Sequence, residues 1–472
     1  MPKFQLFLVL SLFFLLNCKK STIKKSPNII FLLADDMGYG ELGSYGQKII
    51  KTPFLDSLST QGIKFNNFYT NAVCSPARAA LITGKHPGHT TIRGNSGIGE
   101  NDLWFRIPLK RSELTVGEYL KNYGYTTGII GKWHLENPDS LYSWAHNKGF
   151  DYTFHRQWNK FKANPNDPNT IWENGKPIEI KKLWKKQYKS IDELRTEKAI
   201  DFISKNKEQQ FFLLMSYKIP HTPENDIYDD EIYKEKGWPE IERQHAGRIT
   251  LLDSYIKTLF NHIKELGLLE NTIFIFTSDN GPHNEGGHNH NFFNSNGNLR
   301  GFKRDLYEGG IKVPMITYWK DKITPKVSNH ISTIWDVFPT FCDIVDGETP
   351  KQIDGISFLP TLLNQKQKKH EYLYWEIQLD GWWQKLQDGG FRQAIRKDNW
   401  KAIRYGINNK IELYNLTKDS RESNNVAAKY PDLIKSMDSL FKKSSNENNW
   451  FPYGGKIQNY IASKKHQSIN QK

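Results

Sequence analysis

The chain has 472 residues, of which 38% are hydrophobic and 13% aromatic; this composition excludes a disordered chain and suits one large α/β domain with a smaller one. The formal net charge of +14 fits either attraction to an anionic substrate or surface, or simply a lysine-rich composition. No nucleic-acid-binding motif accompanies this charge, and the three cysteines, Cys18, Cys74 and Cys342, imply no disulfide framework.

Residues 1–17 have the pattern of an export signal. A basic start precedes an apolar run from Phe4 to Leu16, which is too short to span a bilayer as a helix. The segment Leu15-Leu16-Asn17-Cys18 resembles a bacterial lipobox, and a plain signal peptide is the alternative. We therefore predict an exported protein of the periplasm or outer membrane, attached through a lipid on Cys18, with residues 18–26 as a tether.

A nearly continuous apolar run at residues 28–34 predicts a β-strand that is buried on both faces. Asp35 and Asp36 follow it directly. Adjacent carboxylates at the end of a buried strand repel each other, and a bound cation would relieve that repulsion. Two solvated loop carboxylates are the alternative when the pair is considered alone.

Cys74 lies in a turn before an alanine-rich helical segment. Pro76 suits the first turn of a helix, and Gly84 can end it in a left-handed conformation. This predicts that Cys74 lies at a helix N-terminus, next to unpaired backbone N–H groups, with the Arg78 guanidinium one turn further on. Such a corner favours an anion; a buried cysteine before an ordinary helix is the alternative.

Three further segments predict buried strands, and each is followed by polar residues. The first, at residues 125–130, precedes Lys132 and His134; the second, at 211–216, precedes His221; the third, at 272–277, precedes Asp279 and Asn280. The carboxyl ends of parallel strands share one edge of a sheet, so we expect a site there. Taken singly, each of these side chains is more often structural or solvated.

The C-terminal part of the chain differs in pattern. Residues 363–369 are polar and basic, which indicates a domain linker, and residues 391–405 and 411–414 alternate as antiparallel strands do. We predict a catalytic domain over residues 27–365 and a C-terminal subdomain with its tail over residues 366–472.

Together these segments resemble the type I sulfatases, most similarly the bacterial arylsulfatase A and N-acetylgalactosamine-6-sulfatase-like enzymes. Residues 74–84 match C-x-P-x-R-x-x-x-x-T-G at each fixed position, and four other motif blocks follow the family's order across residues 27–430. The resemblance implies an α/β, alkaline-phosphatase-like sandwich: a large mixed, mostly parallel sheet flanked by helices, plus a small C-terminal α+β subdomain with an antiparallel sheet.

The resemblance also implies a modification and a metal ion. In this family the motif cysteine, here Cys74, is oxidised to formylglycine by a maturation enzyme. One calcium ion, with magnesium as the less favoured choice, would be held by Asp35, Asp36, Asp279 and Asn280, because carboxylate and amide oxygens suit a hard cation.

The same resemblance assigns catalytic roles. Formylglycine at position 74 would supply the nucleophile, His221 the acid that protonates the leaving oxygen, and His134 the base. The sulfuryl oxygens would be neutralised by Arg78, Lys132 and Lys303. His288 and His290 are not assigned to zinc, because their neighbours match a sulfatase segment.

The expected substrate is a sulfated carbohydrate, namely an oligosaccharide derived from a sulfated polysaccharide. The sequence does not indicate which type of glycan this is. Two alternatives stay open. One is a phosphatase or phosphonate monoester hydrolase of the same superfamily, and the other is a lipoprotein that binds sulfated glycans without cleaving them.

Overall fold

The structure is a computed structural model that describes residues 26–98, 104–137, 140–156, 171–178, 188–222, 231–379, 386 and 388–455. The predicted signal segment and Cys18 lie outside these residues. Within the described ranges, no helix combines the length and the apolar character that crossing a membrane requires.

The β-structure comprises one large sheet, a four-stranded sheet and a short hairpin. The strands are β1 (Asn28–Asp35), β2 (Ile63–Tyr69), β3 (Gly97–Ile98), β4 (Trp104–Phe105), β5 (Thr126–Gly131), β6 (Tyr152–Arg156), β7 (Ile171–Glu173), β8 (Lys176–Ile178), β9 (Phe211–Pro220), β10 (Thr272–Ser278), β11 (Lys312–Trp319), β12 (Lys326–Thr333), β13 (Leu373–Gln378), β14 (Phe391–Lys397), β15 (Trp400–Tyr405) and β16 (Glu412–Asn415).

The large sheet has the strand order β12-β2-β11-β10-β1-β9-β5-β6-β7-β8. Its centre, from β10 through β1, β9 and β5 to β6, is parallel, while β11, β7 and β8 each run antiparallel to a neighbour. The predicted mixed, mostly parallel sheet is therefore confirmed. The four strands that precede the candidate residues lie side by side, so their carboxyl ends meet at one edge.

Helices cover both faces of this sheet. The α-helices of the described residues are α1 (Pro53–Gln61), α2 (Cys74–Thr83), α3 (Val116–Asn122), α4 (Ile191–Lys205), α5 (Glu240–Glu265), α6 (Glu308–Ile311), α7 (Val337–Ile344), α8 (Leu359–Leu362) and α9 (Pro431–Lys443), of which α9 packs on the C-terminal sheet. The apolar residues of α2, α3 and α7 pack in one core, and those of α1, α4 and α5 pack in the other.

β1 shows why a strand at the centre of such a sheet must be apolar throughout. Ile29, Phe31 and Leu33 enter the core under α2, whereas Ile30 and Leu32 enter the core under α5. Successive side chains of a strand point to opposite faces, and here both faces are covered by helices. The apolar run at residues 28–34 is thus fully buried, as predicted.

A side-chain cap sets the residue at which α3 begins. α3 begins only at Val116, because Thr115 forms a capping box with Glu118: the Thr115 hydroxyl accepts the Glu118 N–H, and the Glu118 carboxylate accepts the Thr115 N–H. A hairpin turn at Asn174-Gly175 joins β7 to β8, and both residues have positive φ.

The C-terminal sheet has the order β13-β14-β15-β16 and is antiparallel, as the alternation at residues 391–414 indicates. The sequence analysis does not predict β13. Its polar residues Glu376 and Gln378 are buried along with its apolar ones, so no polar face marks the strand. α9 covers this sheet through Met437 and Phe441. The domain boundary at residue 365 stays a prediction.

Candidate active site

The structure brings the predicted site residues together at the carboxyl edge of the central strands. Asp35 and Asp36 are at the end of β1, Lys132 and His134 follow β5, His221 follows β9, and Asp279 and Asn280 follow β10, while α2 points its N-terminus at the same place. Lys303 reaches the cluster from the loop before α6. This grouping is the one expected from the parallel order of the strands.

Cys74 is the first residue of α2 and is almost fully buried. Its Sγ lies 3.4 Å from Asp35 Oδ1 and 3.8 Å from Asp36 Oδ1. Burial raises the pKa of the thiol well above its ordinary value, and the nearby Asp279 and Asp35 carboxylates act in the same direction, against Lys132 and Lys303. An activated cysteine needs the opposite, a lowered pKa, so the thiol itself is poorly suited to act as a nucleophile.

The helix that presents Cys74 is fixed at both ends. All of its residues are buried, and Gly84 ends it in the left-handed region with φ of 68°. A Cβ at Gly84 would lie 2.9 Å from a side-chain carbon of Ile353, so glycine serves both the conformation and the close packing. The sequence prediction for both ends of this helix is confirmed.

Asp35 and Asp36 are buried carboxylates with cationic partners. Lys132 Nζ lies 2.6 Å from Asp35 Oδ2, and Lys303 Nζ lies 2.7 Å from Asp36 Oδ2. Burial would raise the pKa of each carboxyl group, but Lys132 beside Asp35 and Lys303 beside Asp36 hold both pKa values below the ordinary range. Two ionised carboxylates therefore face the thiol, each balanced by a lysine.

Arg78 and Asp279 form a second buried pair behind the carboxylates. The Arg78 guanidinium donates to Asp279 Oδ2 through Nη2 at 2.8 Å and through Nε at 3.1 Å, and its Nη2 is 3.9 Å from Asp35 Oδ1. Burial and the neighbouring Asp35 charge raise the pKa of Asp279 to about 7. The forked contact fixes the guanidinium one helical turn from Cys74.

The donor set fits a hard cation. Asn280 donates through Nδ2 to Asp36 Oδ1 at 2.7 Å, while its Oδ1 atom is buried without a hydrogen-bond partner among the described residues. Ligand atoms of Asp35, Asp36, Cys74 and His221 lie within 4.8 Å of one another. An unsatisfied amide oxygen next to converging carboxylates is the arrangement that calcium or magnesium would complete.

The two histidines differ in their surroundings. His221 is 27% exposed; its Nδ1 is 2.8 Å from the Thr222 carbonyl oxygen, and its Nε2 is 3.7 Å from Asp36 Oδ2. His134 is almost buried and has a positive φ of 66°. Burial lowers the pKa of both rings, with Lys303 adding to the effect at His221 and Arg106 at His134. Both rings therefore favour the neutral form.

Some residues at the site carry no sequence signal of their own. Ser216 accepts from Arg78 Nη1 at 2.5 Å and donates to the Lys132 carbonyl oxygen at 2.7 Å, which links three segments. Glu285 lies 3.3 Å from Lys303 Nζ and 2.6 Å from Arg304. The position of Ser216 at the end of an apolar strand could have indicated it; nothing in the sequence indicates Glu285.

A second carboxylate–histidine cluster lies near the site but does not suit a metal ion. His245 Nε2 is 2.6 Å from Glu41 and His288 Nδ1 is 2.7 Å from Glu242. The two imidazole rings stack with centroids 3.7 Å apart and 14° between their planes. Ligand atoms of Glu41, His245 and His288 lie within 4.8 Å of one another. The lone pairs of the two rings lie in nearly parallel planes, however, so an ion in the plane of one ring is out of the plane of the other, and zinc stays unassigned at His288.

Comparisons with known proteins agree with this geometry. A family model described as "Sulfatase" matches residues 27–347, and one described as "N-sulphoglucosamine sulphohydrolase, C-terminal" matches residues 297–447. The chain is 28% identical to an N-acetylgalactosamine-6-O-sulfatase of Bacteroides thetaiotaomicron, over 89% of this chain and 93% of that protein. It is 32% identical to the N-acetylgalactosamine-6-sulfatase of Mus musculus, over 79% of this chain and 72% of that protein. The crystal structure of Ps i-CgsB superposes with a TM-score of 0.77 at 25% identity, covering 94% of this chain and 98% of that one.

Proposed function

The chain belongs to the sulfatase family and is a sulfuric ester hydrolase, and from this premise we propose that it desulfates glycan oligosaccharides with a formylglycine made from Cys74 and one bound calcium ion. The observation that carries the proposal is the surroundings of Cys74. Its sulfur lies between two ionised carboxylates, and its pKa is raised, so the site is built for a cation and for a different nucleophile at this position. The hydrated aldehyde would supply that nucleophile, and calcium would favour its deprotonated form.

The lysines and Arg78 would bind the sulfuryl group. Lys132 and Lys303 now balance Asp35 and Asp36, so a calcium ion on these carboxylates would free both ammonium groups for an incoming anion. Arg78, held by Asp279, keeps its charge one turn from residue 74. Three fixed cations at a buried position suit the trigonal oxygens of a sulfate ester.

The two histidines would carry out different proton transfers because they occupy different positions in the site. His221 is the more exposed ring of the two, so it would protonate the departing sugar oxygen. Binding of an anionic ester next to it favours the charged imidazolium that an acid needs. His134 is buried beside α2 and would accept a proton at residue 74.

For the substrate we propose a 6-sulfated N-acetylgalactosamine unit as the first compound to test. The relatives from B. thetaiotaomicron and mouse that cover most of this chain are both described as sulfatases of that group. Sulfated galactans, fucans and ulvans are further members of the panel, since the sequence does not choose among them.

The deciding experiment measures both modification and activity in the same preparation. Protein from the native host is digested, and the peptide that contains residue 74 is weighed; conversion of thiol to aldehyde lowers the mass by about 18 Da. Sulfate release from the glycan panel is then followed with and without calcium. We expect an aldehyde and calcium-dependent release of sulfate, and loss of that release in Cys74→Ala.

Two results would favour the alternatives. Faster release of phosphate than of sulfate from matched aryl esters would indicate a phosphatase or phosphonate monoester hydrolase. An unmodified thiol together with stoichiometric, tight glycan binding and no turnover would indicate a binding lipoprotein. Near-native turnover in Cys74→Ala would contradict the role of residue 74 in either enzyme.

We also propose that the protein is exported and carries a lipid on Cys18. The basis is the sequence pattern of residues 1–18 alone. Labelling of cells with a fatty-acid analogue should mark the wild-type protein in the membrane fraction, and Cys18→Ser should be unlabelled. A wild-type protein that retains residues 1–17 and stays in the cytoplasm would contradict the proposal.

A further inference from the structure

Ser75, the second residue of α2, contacts His134 twice. It is 2% exposed, and its Oγ lies 3.1 Å from the His134 carbonyl oxygen and 3.2 Å from His134 Nδ1. A hydroxyl group has one hydrogen, and a carbonyl oxygen can only accept. The hydroxyl hydrogen is therefore donated to the carbonyl, and the contact with Nδ1 requires that the ring nitrogen carries the hydrogen.

This pair of contacts decides which nitrogen of the ring is free. With the hydrogen on Nδ1, a neutral imidazole has its lone pair on Nε2. Burial and the Arg106 charge favour the neutral ring at His134, as described above. Nε2 is then the atom that can accept a proton, and Nδ1 is the atom that holds the ring in place.

Ser75 is itself held in place by its neighbours, and it is joined directly to residue 74. The Ser75 N–H donates to Asn95 Oδ1 at 3.2 Å, and Ser75 follows Cys74 directly in the first turn of α2. His134 has a left-handed backbone that is uncommon for a residue other than glycine. The hydrogen bond from Ser75 to the His134 carbonyl therefore supports a conformation that the local chain disfavours.

We propose that Ser75 is a positioning residue: its hydroxyl fixes the Nδ1–H tautomer of His134 and so leaves the lone pair on Nε2 for proton transfer at residue 74. The tautomer follows from the geometry alone, whereas its use in catalysis rests on the proposed function.

The tautomer is tested without any turnover. Long-range proton–nitrogen NMR of the full chain with ring-labelled histidine distinguishes a protonated from an unprotonated Nε2, and His134→Gln identifies the His134 signals among the 14 histidines. We expect Nδ1–H in the wild type, a shift toward Nε2–H in Ser75→Ala, and recovery in Ser75→Thr, which keeps the hydroxyl. An Nε2–H tautomer in the wild type, or an unchanged tautomer in Ser75→Ala, would overturn the proposal.

Kinetics test the consequence. In protein whose residue 74 is shown by mass spectrometry to be equally converted, Ser75→Ala should lower kcat by about 10- to 100-fold, the usual effect of losing an orienting partner, with little change in KM. Ser75→Thr should restore most of the loss. Ser254→Ala is the control, because Ser254 donates only to a carbonyl of its own helix, α5, on the other face of the sheet.

The two proposals fail in different ways. A wild-type protein with the Nδ1–H tautomer and no sulfate release would leave the positioning geometry intact and contradict the proposed function. Full kcat in Ser75→Ala, with sulfate release confirmed in the wild type, would overturn the positioning role.

Discussion

His155 is a buried histidine whose ring nitrogens make few hydrogen bonds. It lies on β6 with no exposed surface; its Nδ1 is 3.4 Å from the Arg156 carbonyl oxygen, and its Nε2 has no hydrogen-bond partner among the described residues. Burial lowers its pKa to about 4 from the ordinary value of 6.5. The structure places His155 in the interior of the molecule.

The lowered pKa of His155 predicts a pH-dependent stability. Between pH 6.5 and about 4 the unfolded chain binds a proton here that the folded chain does not, so stability is present above pH 6.5 and is lost as the pH falls toward 4. One such proton gives a slope of about 1.4 kcal/mol per pH unit. Urea denaturation of His155→Phe at several pH values should show a slope smaller by up to that amount; an unchanged slope would contradict the assignment.

The proposed calcium site at Asp36 leads to a prediction about the stability of the folded chain with and without metal. A ligand that binds only the folded chain stabilises it, by about 2.7 kcal/mol at a hundredfold excess over Kd. We therefore expect calcium to raise, and a chelator to lower, the thermal midpoint of the wild type. Asp36→Asn should abolish most of this response, since one buried carboxylate is lost. Equal calcium responses in both proteins would show that the ion binds elsewhere.

At the scale of elements, α3 depends on its N-terminal cap. The Thr115 hydroxyl accepts the Glu118 N–H at 3.1 Å and donates to the Lys148 carbonyl oxygen at 2.8 Å. Thr115→Ala removes both contacts in a buried position and should lower the free energy of unfolding by about 1–2 kcal/mol. Thr115→Ser keeps the hydroxyl and should retain most of the stability. Denaturant unfolding measures both, and equal losses would mean that packing of the methyl group, not capping, decides.

At the scale of the whole molecule, Arg93 joins the catalytic part of the chain to the C-terminal sheet. Its Nη1 lies 2.8 Å from Glu376 on β13, and its Nη2 donates to the carbonyl oxygens of Gly88 and Asn446. Both charged side chains are almost fully buried. This pair explains why Glu376 of β13 lies inside the molecule.

Breaking the Arg93 pair should therefore uncouple the two parts. Arg93→Met leaves an unpaired buried carboxylate and should cost about 3–5 kcal/mol of stability. The double variant Arg93→Met/Glu376→Gln removes both charges and should recover part of the loss. Chemical denaturation of the set tests this; a double variant less stable than Arg93→Met would contradict a charge-based coupling.

The sequence by itself determined the central strands, the helix at Cys74 and the place where the site forms. The strands before Asp35, Lys132, His221 and Asp279 are buried on both faces, and this burial shows in the sequence as segments rich in apolar residues, most clearly before Asp35 and Asp279. Parallel order then brings their carboxyl ends to one edge. The α2 boundaries follow equally from local preferences of proline and glycine.

Only the tertiary structure decided the partners of those residues. Ser75, Ser216 and Glu285 act on the site through contacts with residues far away in the chain, and no local pattern encodes such contacts. β13 was not predicted for the same reason, since its Glu376 is buried against Arg93. Periodicity reports which face of an element meets solvent; it does not report which buried polar groups pair, because pairing depends on segments that meet only after folding.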